Sequence, residues 1–184
     1  MPAQKTNLQE LIEKTAYLFR TRGYHNTSIF DIAQYCNLSK ASVYHYMPSK
    51  EALGCAVIQH VHRETRERVF KLAFAQQLSD QQRLENFSEA LSGFFANREG
   101  GCLLGNLALE ITGVIPEFER LIRLYFEEWT DALKHMLKPK YGEQKALEIA
   151  QDAVAQTQGA IMLQRLFGDD SHIRRIIAKL RTLL

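Results

Sequence analysis

Ser39, Lys40, Ser42 and His45 put four hydrogen-bonding side chains on one side of a short segment, and Tyr44 adds a ring and a hydroxyl. If that segment is helical, its polar face can enter a DNA major groove about 12 Å wide, where a lysine donates to guanine and a serine pairs with several bases. Any solvated helix of a bundle also presents a polar face, so this one points to DNA only if other elements position it. The rest of the chain offers little competing chemistry. His60 and His62 are two residues apart, on different faces of a helix, and make no metal pair. His25, His135 and His172 are isolated. Cys36, Cys55 and Cys102 are distant from one another and odd in number, which argues against a disulfide framework or a zinc knuckle. No nucleophile–base arrangement and no glycine-rich phosphate loop is readable. The sequence therefore predicts no cofactor, no metal and no enzyme.

The positioning elements lie immediately upstream. Ser28 and Asp31 form a capping-box pattern ahead of Ile29, Ile32, Ala33 and Cys36, which recur at helical spacing. Cys36-Asn37-Leu38 then makes a tight turn before Ser39 opens the next helix. A helix-turn-helix needs a turn of about three to four residues, so that the second helix stands across the first. Asn37 sits where the chain is expected to turn left-handed, and asparagine tolerates this better than most residues. Ile32, Ala33, Leu38 and Val43 are placed to make a small core, with Ala33 small where the helices approach. Charge agrees: Lys5, Lys14, Arg20, Arg22, Lys40 and Lys50 face only Glu10, Glu13 and Asp31 in residues 1–50, a net +3, whereas the whole chain carries +2. Charge alone reads rather as an ordinary solvated face; turn, capped helix and charge together favour DNA.

The 184 residues read as helices throughout, an all-α chain of roughly nine. Asn7 and Glu10 open a helix carrying Leu8, Leu11, Ile12, Ala16 and Phe19, and Gly23 ends it. Pro48 and Ser49 open a long amphipathic stretch predicted to reach about Ala75. Asp80 is expected to cap the next, Gly100-Gly101 breaks the chain, and a shorter helix follows over about Leu103 to Ile111. Pro116 suits the first turn of a helix predicted to stop before Pro139. Residues 143–167 and 170–183 complete the set, with Asp170 as a cap. No apolar run exceeds four residues, far short of the roughly 20 that cross a membrane. The N-terminus lacks the apolar core of a signal peptide, so a cytoplasmic, reduced protein is expected.

Several stretches carry a resemblance. Gly23-Tyr24, Thr27-Ser28, Asp31-Ile32-Ala33, Leu38-Ser39-Lys40, Ser42-Val43-Tyr44-His45-Tyr46 and Pro48-Ser49-Lys50-Glu51-Ala52-Leu53 resemble the N-terminal domain of the TetR/AcrR transcriptional regulators over about residues 7–53. The sequence departs from the family pattern at Asn37 and Ala41, where glycine is usual or common, and at Met47, where phenylalanine is usual. The resemblance implies a helix-turn-helix domain over 1–48 and a ligand-binding and dimerisation domain over 49–184. It implies a homodimeric repressor that binds a palindromic operator and releases it when a small molecule fills the larger domain. By position Thr27, Tyr44 and Lys50 match phosphate contacts, and a hydroxyl, a phenol and an ammonium suit a phosphate oxygen. Ser39, Lys40, Ser42 and His45 are the base-edge candidates. Ser28 lies beside them, and Ala41 puts a methyl on the recognition helix that bears on base preference. Tyr46 is expected to pack into the domain core.

Gly101 to Glu110 is similar to a stretch in one branch of the same family, where it joins helices around the ligand site. Cys102, near a helix N-terminus, is either a thiol sensor or an inert buried cysteine. Asn106 and Glu110 share a helix face and either hold a ligand or bond a neighbouring helix. Phe94, Phe95, Tyr125, Phe126 and Trp129 either wall a pocket or fill a core; an apolar pocket with few polar anchors suits a hydrophobic or aromatic effector. Ala146, Ala150, Ala153, Thr157 and Ala160 form a stripe of small residues, and Ile173, Ile176, Ile177 and Leu180 a broader apolar stripe. Both are expected to pair with their copies in a four-helix dimer interface, the alternative being that the small stripe packs only inside the subunit. The alternative to a repressor is an all-helical interaction or small-molecule-binding module without DNA binding.

Overall fold

The computed structural model describes residues 7–96 and 98–184. Among them are nine α-helices, one 3-10 helix and no strand, as an all-α chain requires: α1 (Leu8–Arg22), α2 (Ile29–Tyr35), α3 (Lys40–Tyr46), α4 (Lys50–Arg68), the 3-10 helix Phe70–Phe74, α5 (Asp80–Phe95), α6 (Leu103–Ile111), α7 (Pro116–Tyr141), α8 (Glu143–Phe167) and α9 (Ser171–Arg181). No helix of the described residues is long and apolar enough to cross a membrane. The chain divides into two compact units, Met1–His62 with Leu103–Ile122, and Arg63–Cys102 with Arg123–Leu184. This differs from a boundary at residues 48/49, because α4 and α7 contribute to both units. A cut at 48 would separate α1–α3 from Leu53, Val57 and Ile58 of α4, all fully buried and all in the first unit.

In the first unit, the Asn7 side chain accepts the Glu10 N–H, and Gly23 ends α1 at φ +88° by donating to the Phe19 carbonyl. Leu11, Leu18 and Phe19 face the core. Gly54 lets the Phe118 ring approach the backbone of α4, because a Cβ there would lie 2.2 Å from the ring's Cζ. Phe118 in turn meets Tyr24 edge-on, with centroids 5.1 Å apart.

In the second unit, α9 packs on α5 and on α8. The amphipathic stretch does not run on to Ala75 as one helix. The chain leaves the helical region at Val69 (φ −128°, ψ −63°) and tightens into the 3-10 turn, whose three-residue repeat places Phe70 and Ala73 together in the core. Ser79, not Asp80, caps α5, in a reciprocal box with Gln82. α7 runs past Pro139 to Tyr141. The proline falls in the last turn, where it removes one backbone bond, and neighbouring side chains secure that turn: Lys140 and the Tyr141 hydroxyl donate to the Leu183 carbonyl, and Lys134 and Lys138 both bind Glu143. Asp170 precedes α9 but pairs with Arg174 instead of capping through its side chain.

Candidate nucleic-acid interface

The α2–turn–α3 unit has the form that the sequence predicts. Ser28 accepts the Asp31 N–H while the Asp31 carboxylate accepts from the Ser28 N–H and hydroxyl, which holds that carboxyl below its usual range. Asn37 turns at φ +54°, and the Leu38 N–H donates to the Ala33 carbonyl at 2.8 Å, closing the angle between the helices. Ile32, Ala33, Cys36 and Val43 are buried beneath the turn. Leu38 is only half-buried.

This frame leaves Ser39, Lys40, Ala41, Tyr44 and His45 exposed, with Ser42 half-buried. Ser39 caps α3 through the Ser42 N–H, and the two hydroxyls are 2.8 Å apart, so both are oriented before any partner arrives. Tyr46 is half-buried. Ser28 is exposed at the start of α2.

The phosphate candidates fare differently. Tyr44 is half exposed. Lys50 is held over the Tyr24 ring, its Nζ 4.1 Å from the centroid. Burial pulls its ammonium down, against the attraction of Glu110 and Asp31. Thr27 corrects the expectation: it is fully buried, and its hydroxyl donates to the Gly23 carbonyl at 2.7 Å. A side chain so placed fixes the turn before α2 and offers no oxygen surface to a phosphate.

The six effector candidates do not fall in one unit. Phe94, Cys102, Tyr125 and Trp129 lie in the second, all buried. Trp129 stacks on Phe95 and Phe126, Phe94 lies under the Arg98 guanidinium at 4.1 Å, and the Tyr125 hydroxyl bonds the Thr65 and Cys102 side chains. Burial pushes the Tyr125 phenol well above its ordinary range. The Trp129 indole nitrogen is buried without a hydrogen-bond partner among the described residues. Asn106 and Glu110 belong to the first unit and do structural work there. Asn106 donates to the Arg20 carbonyl, while Glu110 accepts the Tyr24 N–H at 3.0 Å and the His25 N–H at 2.6 Å. Asn106 thus bonds a neighbouring helix, α1, and Glu110 bonds the turn that follows it, across 85 to 86 residues of sequence that local spacing cannot bridge.

The dimer stripes also need correction. Ala146, Ala150, Ala153, Thr157 and Ala160 are at most 6% exposed in a single chain, and the Thr157 hydroxyl is committed to the Ala153 carbonyl. Ile173, Ile177 and Leu180 are likewise buried within the subunit, and Ile176 is half-buried. α9 packs on both α8 and α5, so these faces are already covered within the one chain. Two residues further along, roughly 200° around α8, a second stripe is open: Ala155, Met162 and Leu166 are exposed, Gly159 has no neighbour where a Cβ would point, and Phe167 follows. Spacing alone shows both stripes and cannot tell which one the chain covers itself.

Comparison with known proteins agrees with this fold. Bacterial regulatory proteins of the tetR family match residues 11–57, and the C-terminal domain of LmrA/YxaF-like transcriptional regulators matches residues 80–179. The HTH-type transcriptional repressor DhaR of Mycobacterium sp. (strain GP1) is 27% identical over 121 residues; the match takes in 66% of this chain but only 60% of DhaR. An uncharacterized HTH-type transcriptional regulator of Mycobacterium tuberculosis is 27% identical over 96% of this chain and 93% of its own. The crystal structure of a TetR transcriptional regulator from Legionella pneumophila superimposes with a TM-score of 0.85 at 26% identity, covering 96% of this chain and 97% of that one. With both halves of the chain matched and the helix-turn-helix formed, the protein belongs to the tetR family of bacterial regulatory proteins.

Proposed function

We propose that this chain is a ligand-responsive transcriptional repressor, acting in the cytoplasm as a homodimer on a palindromic duplex. The observation that carries the reading is the α3 face: Lys40, Ala41, Tyr44 and His45 stand exposed on a helix capped by Ser39 and anchored by buried Val43. Lys40, Ala41, Ser39, Ser42 and His45 meet base edges, and Tyr44, Lys50 and Ser28 meet phosphates. The name of the related DhaR supports repression.

The open stripe Ala155, Gly159, Met162 and Leu166 supports a dimer, since a copy laid across it covers apolar surface that one chain leaves in water. The aromatic cluster around Trp129, with its unpartnered indole N–H, supports an apolar or aromatic effector that carries an acceptor atom. In sequence, Cys102 closes a segment of the second unit and Leu103 starts α6, whose Glu110 holds the turn ahead of α2. An effector that favours a different placement of α6 lowers the DNA-competent population, and operator DNA weakens effector binding by the same factor.

The test is selection of duplexes from a random pool by the full chain, followed by titration against salt. Enrichment of a palindrome bound with a steep salt dependence is expected. A chain that enriches no sequence is instead a helical module without DNA binding.

A further inference from the structure

Phe30 is a large apolar side chain that the core does not use. The buried stripe of α2 runs through Ile32, Ala33 and Cys36, and Phe30 falls outside it at 55% exposure. It is not isolated on the surface. The Nζ of Lys40, the first residue of α3, lies 5.1 Å from the centre of its ring. The one carboxylate on α2, Asp31, is turned back onto the Ser28 N–H and hydroxyl in the capping box. Phe30 and Lys40 therefore form an exposed pair, a ring from α2 and an ammonium from the recognition helix α3, side by side.

Resting on the DNA-binding reading above, we propose that this pair is a specificity determinant: the Phe30 ring covers the C5-methyl of a thymine in the major groove while Lys40 donates to a guanine beside it. The chemistry matches both groups. The thymine methyl is the one apolar group that the four base pairs present in the major groove, and phenylalanine is among the side chains that contact it; lysine suits the O6 and N7 of guanine. The geometry sets the spacing. Stacked base pairs rise about 3.4 Å, so a ring and an ammonium 5.1 Å apart fall on pairs one to two steps from each other. The cation–π contact also restrains a long, flexible lysine before DNA arrives, which makes Lys40 dependent on Phe30 for its aim. Without such a partner, an exposed phenylalanine beside the recognition helix stays in water.

The experiment uses the full chain and the preferred duplex obtained by selection. Each thymine is replaced in turn by deoxyuridine, which deletes only the C5-methyl, and affinity is measured for the unmodified protein, Phe30→Ala and Lys40→Ala. One thymine, within two steps of a guanine whose replacement Lys40→Ala tolerates, is expected to lose about 4-fold in affinity on losing its methyl, the value of one buried methyl group. Phe30→Ala should bind the thymine and deoxyuridine duplexes equally. Because Phe30 is exposed, the variant should keep its helical circular dichroism. If no deoxyuridine weakens the unmodified protein, or if the sensitive position is as sensitive in Phe30→Ala, the proposal fails while DNA binding stands. If no duplex is enriched at all, the DNA-binding reading falls and this proposal with it.

Discussion

Replacing Glu110 by alanine separates its two possible roles. As an effector contact it would contribute nothing to the stability of the free protein. As built, its carboxylate takes the backbone N–H groups of Tyr24 and His25 at 3.0 and 2.6 Å. It lies against Gly23, where a Cβ would stand 3.3 Å from its Oε2. It also attracts the Lys50 ammonium. Hydrogen bonds to a charged group are worth about 1.5–3 kcal/mol each. The Tyr24 bond is part-buried and the His25 bond exposed, so water replaces much of the second. Glu110→Ala should therefore cost about 2–3 kcal/mol in the first unit, and Glu110→Gln, which keeps one acceptor oxygen, about half of that. Denaturant titration reads the total. Amide hydrogen exchange at Tyr24 and His25 reads the site itself, where protection should fall by about 10- to 100-fold. Unchanged exchange at both amides, together with an unchanged denaturation midpoint, would refute the clamp and return Glu110 to the effector candidates.

Five other substitutions test the packing and charge. Gly54→Ala drives a methyl into the fully buried Phe118 ring; overpacking of about 1–3 kcal/mol or more should outweigh a helix-propensity gain of up to about 1 kcal/mol. Gly93→Ala, which meets nothing within 4 Å, should show the gain alone, and thermal unfolding compares the two. Met162→Arg should yield a folded monomer in sedimentation at low micromolar concentration, whereas Thr157→Arg, at a site 1% exposed, should unfold the subunit; a fully dimeric Met162→Arg would remove this face from the interface. Glu143 is held from the ordinary 4.5 to about 2, first by its hydrogen bond with Lys134 and then by that with Lys138. Its folded value is the lower one, so its contribution is complete above pH 4.5 and disappears as the pH falls towards 2. The difference in melting temperature between the parent and Glu143→Gln should shrink over that window, and a difference that does not change with pH would contradict the pairing.

Local signals in the sequence carry the reading head well. Ser28 with Asp31, the turn at Asn37 and the alternation of buried Ile32, Ala33 and Val43 with exposed Lys40 and Tyr44 depend on neighbours a few residues away, and each is found as expected. Contacts between distant residues are not legible in this way. Glu110 reaches Tyr24 and His25 across more than 80 residues, and its type and spacing fit a ligand contact equally well. Thr27 shows that a hydroxyl at a helix entrance can be consumed by the turn it closes. Pro139 marks a helix end too early because lysines and Tyr141 secure the turn beyond it. On α8, two stripes half a turn apart each have the period of a helix interface, and only tertiary packing, such as that of α9 on α8, decides which of them is inside. Phe30 had a signal that periodicity could have flagged, a large apolar residue out of phase with the stripe of its own helix.

The central claim is that two copies of the α3 face read one duplex. Hydroxyl-radical footprinting of the selected duplex tests it most directly. Two recognition helices set about 34–36 Å apart should protect two patches on one side of the DNA, about 10–10.5 base pairs between centres and related by the symmetry of the sequence. A single patch, or protection that follows no symmetry in the duplex, would contradict it.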